Sequence, residues 1–439
     1  MDNRISFKSS ANLYNLTSRV QENTLLNRGI LEIGGIAAPQ VAMSNNKDEA
    51  IERAGLSGIF FGISFLTPFV LIPRFNKFFL KRSGIVNDFK GVEKKILEVS
   101  KKHLTKDADT MVKGIRETAD HLDTINKTTK HKGAFEKIIN RFSDKEVLRQ
   151  KLLNTHKNIH TSDFLTTEWM LGAMPWAIME FTEFRTHKKG FSAAFKMKEN
   201  TVDDKKYQSD KHKKMLANAV VATVPAILAP RLISKGIGQN HKALIESKSF
   251  IKKGYGNLLE FIKKKADCFD YTNSIFMSKT IFALMWLLSD YPNCLICSRD
   301  KHEMKDKAIR YGFMNVMFFG GDFFLNNVMG RLSDKFAGTK IMKTETLPKD
   351  AGFFKRFGMQ MRNFKDLPNI EGLSKKELNK TKNMSAGIYW ASLLINMGII
   401  GIGLPAFLNK MLRNDIEKEK SLKAPKTILD KKSFKELGF

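Results

Sequence analysis

The sequence predicts an all-α, polytopic integral membrane protein, with six or seven hydrophobic helices paired in hairpins and amphipathic helices carried in basic loops. Three observations lead there. Uncharged runs of bilayer-spanning length recur along the chain. Strand signals are nearly absent, while helical periodicities are frequent. The charge, 74 Lys and Arg against 45 Asp and Glu for a net of +29, falls mostly between the apolar runs. With 439 residues and 42% hydrophobic side chains the chain is too apolar for general disorder, and its three cysteines exclude a disulfide-stapled secreted scaffold.

The clearest spans are residues 54–73, a run of 20 without a charge, and residues 383–409, a run of 27. At 1.5 Å per residue either can cross a bilayer. Residues 215–230 are slightly short unless Arg231 reaches back to the headgroups. Four further stretches are shorter or interrupted by charge: 33–46, 164–181 with Glu168 and Glu180, 274–289 with Lys279, and 311–332 with Asp322 and Arg331. Similar helix ends, PRFNK at Pro73, PRLISK at Pro230, GRLSDK at Gly330 and PAFLNK at Pro405, suggest hairpins in series. The expected organisation is a polar segment 1–29, hairpin 30–77, basic helical loop 78–163, hairpin 164–235, basic amphipathic helix 236–273, hairpin 274–335, basic loop 336–382, final helix 383–412 and charged tail 413–439.

The loops between hairpins are on average more basic than those within them, which places them and the N-terminus in the cytoplasm and, in a bacterium, the helices in the inner membrane. Residues 1–10 contain no apolar stretch of a secretory signal. Within the loops, Met111, Ile115, Ala119, Leu122 and Ile125 recur at helical spacing, pairing with a helix over 92–104. Leu244, Ile251, Tyr255, Leu258 and Ile262 form a second stripe, with Lys252, Lys253, Lys263 and Lys264 off it, a pattern suited to an anionic lipid surface. The basic residues are mostly lysine, without the arginine and aromatic interleaving of a nucleic-acid groove, so the expected partner is the lipid bilayer rather than a nucleic acid. No feature names a protein partner.

An ionisable side chain in hydrocarbon is costly unless paired or facing a cavity, so Asp322 and Lys279, on consecutive helices, are the candidate intramembrane site, with Asn326 one turn from Asp322. Glu168 and Glu180 sit near the ends of their segment and read as interfacial. Cys294 and Cys297 form a CxxC, but no second ligand pair accompanies them, so they are weak metal candidates and read as inert thiols. His156 and His160 read as surface residues. No phosphate loop, dinucleotide fingerprint, nucleophile elbow or kinase signature is present, so neither an enzymatic activity nor a cofactor is expected. The functional expectation is a transport-like membrane protein. Its rivals are a membrane scaffold recruiting partners through basic loops and a peripheral basic helical protein.

Overall fold

The computed structural model describes residues 10–22, 29–86, 95–101, 103–187, 190–193, 204–266, 279–344, 352, 361–364 and 366–423. Among these the chain is helical throughout, its sole extended pairing a bridge between Met342 and Met361. Helix α1 is Ser10–Glu22, and α2 is a π-helical turn, Ile30–Ala37, running into Ala38–Ala42. Helix α3 runs from Lys47–Leu66 through a π turn, Thr67–Leu71, into Ile72–Arg82. Helices α4 (Lys95–Lys101), α5 (Ala108–Asn126) and α6 (Lys130–Asn140) precede the long α7 (Lys145–Thr186) and α8 (Asp204–Gly238). The short α9 (Lys242–Ile245) leads into α10 (Phe250–Lys264). Helix α11 is Lys279–Met285, a π turn Trp286–Asp290 and Tyr291–Ile296; α12 is Lys301–Val316, a π turn Met317–Gly321 and Asp322–Ala337. Helix α13 is Lys375–Met397, a π turn Gly398–Gly403 and Leu404–Lys423.

The π turns follow from the prolines. A proline cannot donate to the carbonyl four residues before it, and its ring crowds that carbonyl. For Pro39, Pro73, Pro292 and Pro405 the carbonyl left over belongs to Gly35, Phe69, Leu288 and Gly401, and each lies inside a π turn. The helix widens there instead of breaking. The fifth π turn ends on Gly320 and Gly321 without a proline, whereas Pro175 in α7 and Pro225 and Pro230 in α8 sit within regular α-helix.

Polar side chains set the helix starts. Asn46, Asp107, Asp144 and Asp300 each accept from a backbone amide of the first turn, and Ser374 with Glu377 closes a reciprocal capping box. The seven helices carrying the apolar stretches form a closed arrangement. Helix α2 packs on α3 and α13, α3 on α7, α7 on α11, α11 on α12, and α12 on α13, while α8 lies against α7 and α11. The tightest crossing is α2 on α13, where a Cβ on Gly401 would lie 2.1 Å from the Gly35 carbonyl oxygen.

A separate core forms where α7 begins. Leu80 at the end of α3, Ile96, Met111, Ile115, Phe135, Leu148 and Leu152 pack around α4–α6, and Arg149 ties this lobe to α8 by donating to the Leu104 and Gly238 carbonyls at 3.2 and 3.0 Å. The helix expected over 107–128 is α5; Met111, Ile115 and Ala119 face this core, but Ile125 is exposed.

On α10 the buried residues are Gly256, Leu259 and Ile262; Ile251 and Leu258 of the expected stripe are exposed, and Leu244 belongs to α9 and lies against Gly256. One expectation needs correction. His156 and His160, expected at the surface, are buried with their rings stacked 6.0 Å apart.

By length and apolarity together, two helices among the described residues could cross a membrane, Ser209–Gly238 and Lys375–Glu419; Ile30–Ala42 is apolar but shorter. Six or seven spans are thus not reached by this criterion.

The α2–α13 crossing gives a direct test. Gly401→Ala should lower thermal stability by about 1–3 kcal/mol through overpacking against Gly35. Gly398→Ala, where an added Cβ meets nothing within 4 Å, should leave it nearly unchanged, both read as unfolding midpoints in detergent.

Candidate functional site

The starts of α3 and α12 have the same local chemistry. Residues 46–54 read Asn-Lys-Asp-Glu-Ala-Ile-Glu-Arg-Ala, and residues 300–308 read Asp-Lys-His-Glu-Met-Lys-Asp-Lys-Ala. In both, the capping side chain accepts from the backbone N–H of the glutamate three residues on, at 2.9 Å for Glu49 and for Glu303. In both, that glutamate accepts from the backbone N–H before the cap, Asn45 or Arg299, at 2.6 Å. Each glutamate then pairs with the base one turn later, Glu49 with Arg53 and Glu303 with Lys307.

These two starts face one cavity of about 210 Å³. Glu49, Glu52 and Arg53 line it from α3, and their counterparts Glu303, Asp306 and Lys307 from α12. Helices α2, α7 and α11 contribute Glu32, Gln40, Leu171, Met174, Trp286, Asp290 and Asn293. Phe191 and Ser192, from the segment after α7, also line it.

Arg299 joins the two starts. Its guanidinium donates to both Glu52 oxygens, at 2.7 and 3.0 Å, and to both Glu303 oxygens, at 2.9 and 3.1 Å. Burial opposes the charge of Glu303, yet Lys307 and Arg299 hold its carboxyl down at about 2, against an ordinary value near 4.5. Burial likewise works against the charge on Arg299, but Glu303 and Glu52 outweigh it and raise its pKa. Arg310 pairs with Asp306 at 2.8 and 2.9 Å. The Arg53 pKa is lowered, first by burial and then by the nearby Arg310 charge.

The segments between paired helices meet around this end. Ser192 donates to Glu52 through its hydroxyl and accepts at its carbonyl from Asn46 at 2.6 Å; the Phe191 N–H reaches Asp300 at 3.3 Å; Lys214 donates to the Ser298 carbonyl at 2.7 Å. Helix α13 closes the same end through Asn409 on Asn45 and Asp415 on Lys305, at 3.0 and 2.6 Å.

Of the residues singled out from the sequence, Cys294 lines the cavity. The side chains of Lys279 and Asp322, and Cys268 with its whole segment, lie outside the described residues. Asn326 accepts a hydrogen bond from Ser392 at 2.6 Å, joining α12 to α13 away from the cavity. Lys252, Lys253 and Lys264 are exposed on α10, and Lys263 is half-buried. Glu168, expected at an interface, is buried on α7 because the helix turns it inward; Glu180 pairs with Lys211. Desolvation pushes the Cys294 and Cys297 thiols up to about 12, so both are protonated thiols at neutral pH. No group of three His, Cys, Asp or Glu side chains suited to a metal ion occurs among the described residues.

The signal that could have found the cavity was the repeated Lys-x-Glu-x-x-acid-base-Ala that opens α3 and α12. It lies at the edges of the apolar runs, where charge reads as a boundary. Set against protein families, characterised proteins and solved structures, the chain matches none.

The depressed carboxyl of Glu303 has a definite pH signature. Its stabilisation is complete above about pH 4.5 and drains away as the pH falls towards 2. Glu303→Gln should cost about 3–5 kcal/mol at neutral pH, because Arg299 and Lys307 lose a buried partner. It should also remove part of the acid-side loss seen when unfolding of the wild type is followed from pH 7 to 2.

Proposed function

We propose that the chain is a multi-pass membrane protein whose apolar helices form, at one end of their bundle, a cavity bordered by ion-paired side chains that takes up a small solute, a transport-like role. The observation that carries this reading is an inversion of the usual soluble pattern. Carboxylates and guanidinium groups are buried around the cavity, while large hydrophobic side chains point outward from every apolar helix: Ile33 on α2, Phe69 on α3, Trp169 on α7, Leu216 on α8, Leu287 on α11, Phe324 on α12 and Leu394 on α13. A soluble bundle would hide these faces. The most apolar part of Ser209–Gly238 is only 28% buried, far less than the core helix of a soluble protein requires.

A cavity walled by apolar side chains and by buried ion pairs, bordered by helices with π turns, has the parts that alternating access needs: a site, and helices able to change register. Exposed Phe250, Ile251, Leu258 and Phe261 on α10, with lysines beside them, suit contact with an anionic headgroup layer. Neither Asp322 nor Lys279 is needed for this reading; the charged starts of α3 and α12 replace them as the centre of function. The excess of lysine in the long connections favours placing the α4–α6 lobe in the cytoplasm, with the cavity end of α7 towards the opposite face.

The lobe favours a second reading, a scaffold that recruits a partner, because it has a core of its own outside the apolar helices. Two measurements separate the readings. After alkaline carbonate extraction the protein should stay with the membrane pellet, and release to the supernatant would remove the multi-pass reading. Arg299→Gln, which unties Glu52 from Glu303, should abolish solute binding or uptake while membrane insertion persists; a pure scaffold would lose neither.

A further inference from the structure

We infer that Glu168 of α7 and Asp290 of α11 hold one proton between them at the wall of the cavity, and that loss of this proton drives the two helices apart, so that the cavity opens and closes with proton binding. The proton site stands on its own geometry; its role in moving a solute rests on the solute-uptake reading above.

The two carboxyl groups are hydrogen-bonded to each other across the α7–α11 contact. An ionised carboxylate only accepts, so a bond between two carboxyl groups exists only while one of them carries a proton. Both residues are more than nine-tenths buried, at 4% and 8% exposure. The charges acting on Glu168 are those of Asp290 and Asp163, and both are acidic. Ser289 gives Glu168 a hydrogen bond, yet its Oε2 has no partner among the described residues, so a second negative charge here would be poorly satisfied.

The bases that could neutralise the pair are committed elsewhere. On the cavity wall Arg53 pairs with Glu49, Lys307 with Glu303 and Arg310 with Asp306, while Arg299 holds Glu52. From α8, Lys211 pairs with Glu180 and Lys214 reaches the Ser298 carbonyl. Glu32 of α2 has an interaction of its own, Cys294 on α11 is a neutral thiol, and the Tyr311 phenol is neutral at ordinary pH. On α7 itself His160 stands one turn before Asp163. A proton is the ligand that remains for the pair.

The position of Asp290 turns this proton into a device. It closes the π turn Trp286–Asp290, two residues before Pro292, where α11 can change register. Asp290 lines the cavity, so the proton leaves by that route and both groups are then charged. Two carboxylates in one buried contact repel, and the strain falls on the π turn. Farther along α11, Cys297 packs with Trp176 and Met179 of α7 at 3% exposure, so separation of the helices uncovers its thiol.

The test uses the full-length protein in nanodiscs, with the proton itself as the probe and the unfolding midpoint of every variant followed in parallel. At about pH 7, where an ordinary carboxyl of pKa about 4 is ionised, the wild type should show the infrared carbonyl stretch of a protonated carboxyl group. Glu168→Gln and Asp290→Asn each put an amide N–H in place of the shared proton, and each should remove about half of that band or more, whereas Asp163→Asn should leave the shared component in place. Imidazole absorbs elsewhere, so His156 and His160 do not contribute. Alkylation of Cys297 by a small maleimide, mapped by peptide mass, should be about tenfold faster in the wild type than in Glu168→Gln at about pH 9, and equal in the two at about pH 6. Comparing the proteins at one pH cancels the thiol's own pH dependence. Absence of the band from the wild type, its survival in both variants, or its removal by Asp163→Asn alone would overturn the shared proton. Equal labelling at the higher pH would overturn the opening while leaving the proton site. Release of the protein by carbonate would overturn the membrane reading beneath it, with the infrared result unchanged.

Discussion

The contact on which the site depends is Arg299 held between Glu52 and Glu303. One guanidinium satisfies two carboxylates from helices far apart in sequence, with four hydrogen bonds of 3.1 Å or less. All three groups are buried, so each is tolerated only because the others are present. Position follows from this. With Glu52 and Glu303 locked together, the first turns of α3 and α12 face each other, and the remaining charges of both turns are aimed into one space. Replacing the trio by apolar residues could keep the helices together but would not keep this space polar.

The π turns complement that rigidity. Four of the five arise where a proline leaves a carbonyl unbonded one turn earlier, and all occur on helices that carry apolar stretches. Charge pairs hold one end of the bundle fixed. Widened turns in the middle give the same helices a place to adjust, and α2, where the π turn occupies most of the helix, is the least regular of them. The α4–α6 lobe, with its own apolar core and its Arg149 tie, steadies the start of α7 from the other end.

Much of the architecture could be read from the chain, because it rests on local rules. Apolar runs, helix caps and the near absence of strand signals all act within a few residues, and the helix over 107–128 is found where its spacing placed it. What escaped depends on contacts between distant segments. Glu168 lies near the end of an apolar run and reads as interfacial, yet its direction is set by the turn of α7. Gly256 on α10 meets Leu244 of α9 across a bend, a contact invisible to any single-helix projection. The cavity charges were read as the borders of the apolar runs, since a sequence pattern distinguishes charged from apolar stretches but does not say which borders come together. The rule that seeks charge inside hydrocarbon points to Lys279 and Asp322, and it does not reach the charged helix starts, which are buried at the end of the bundle.

The shared start of α3 and α12 has a further consequence. Because two turns of the chain carry an equivalent cap, the same glutamate and a base one turn later, the frame of the cavity is specified twice. One copy can then change at single positions while the other keeps the frame in register. Arg299 and Arg310 stand where the first copy has Asn45 and Leu56. Exchanging residues between the two copies therefore separates what the shared frame requires from what each copy adds.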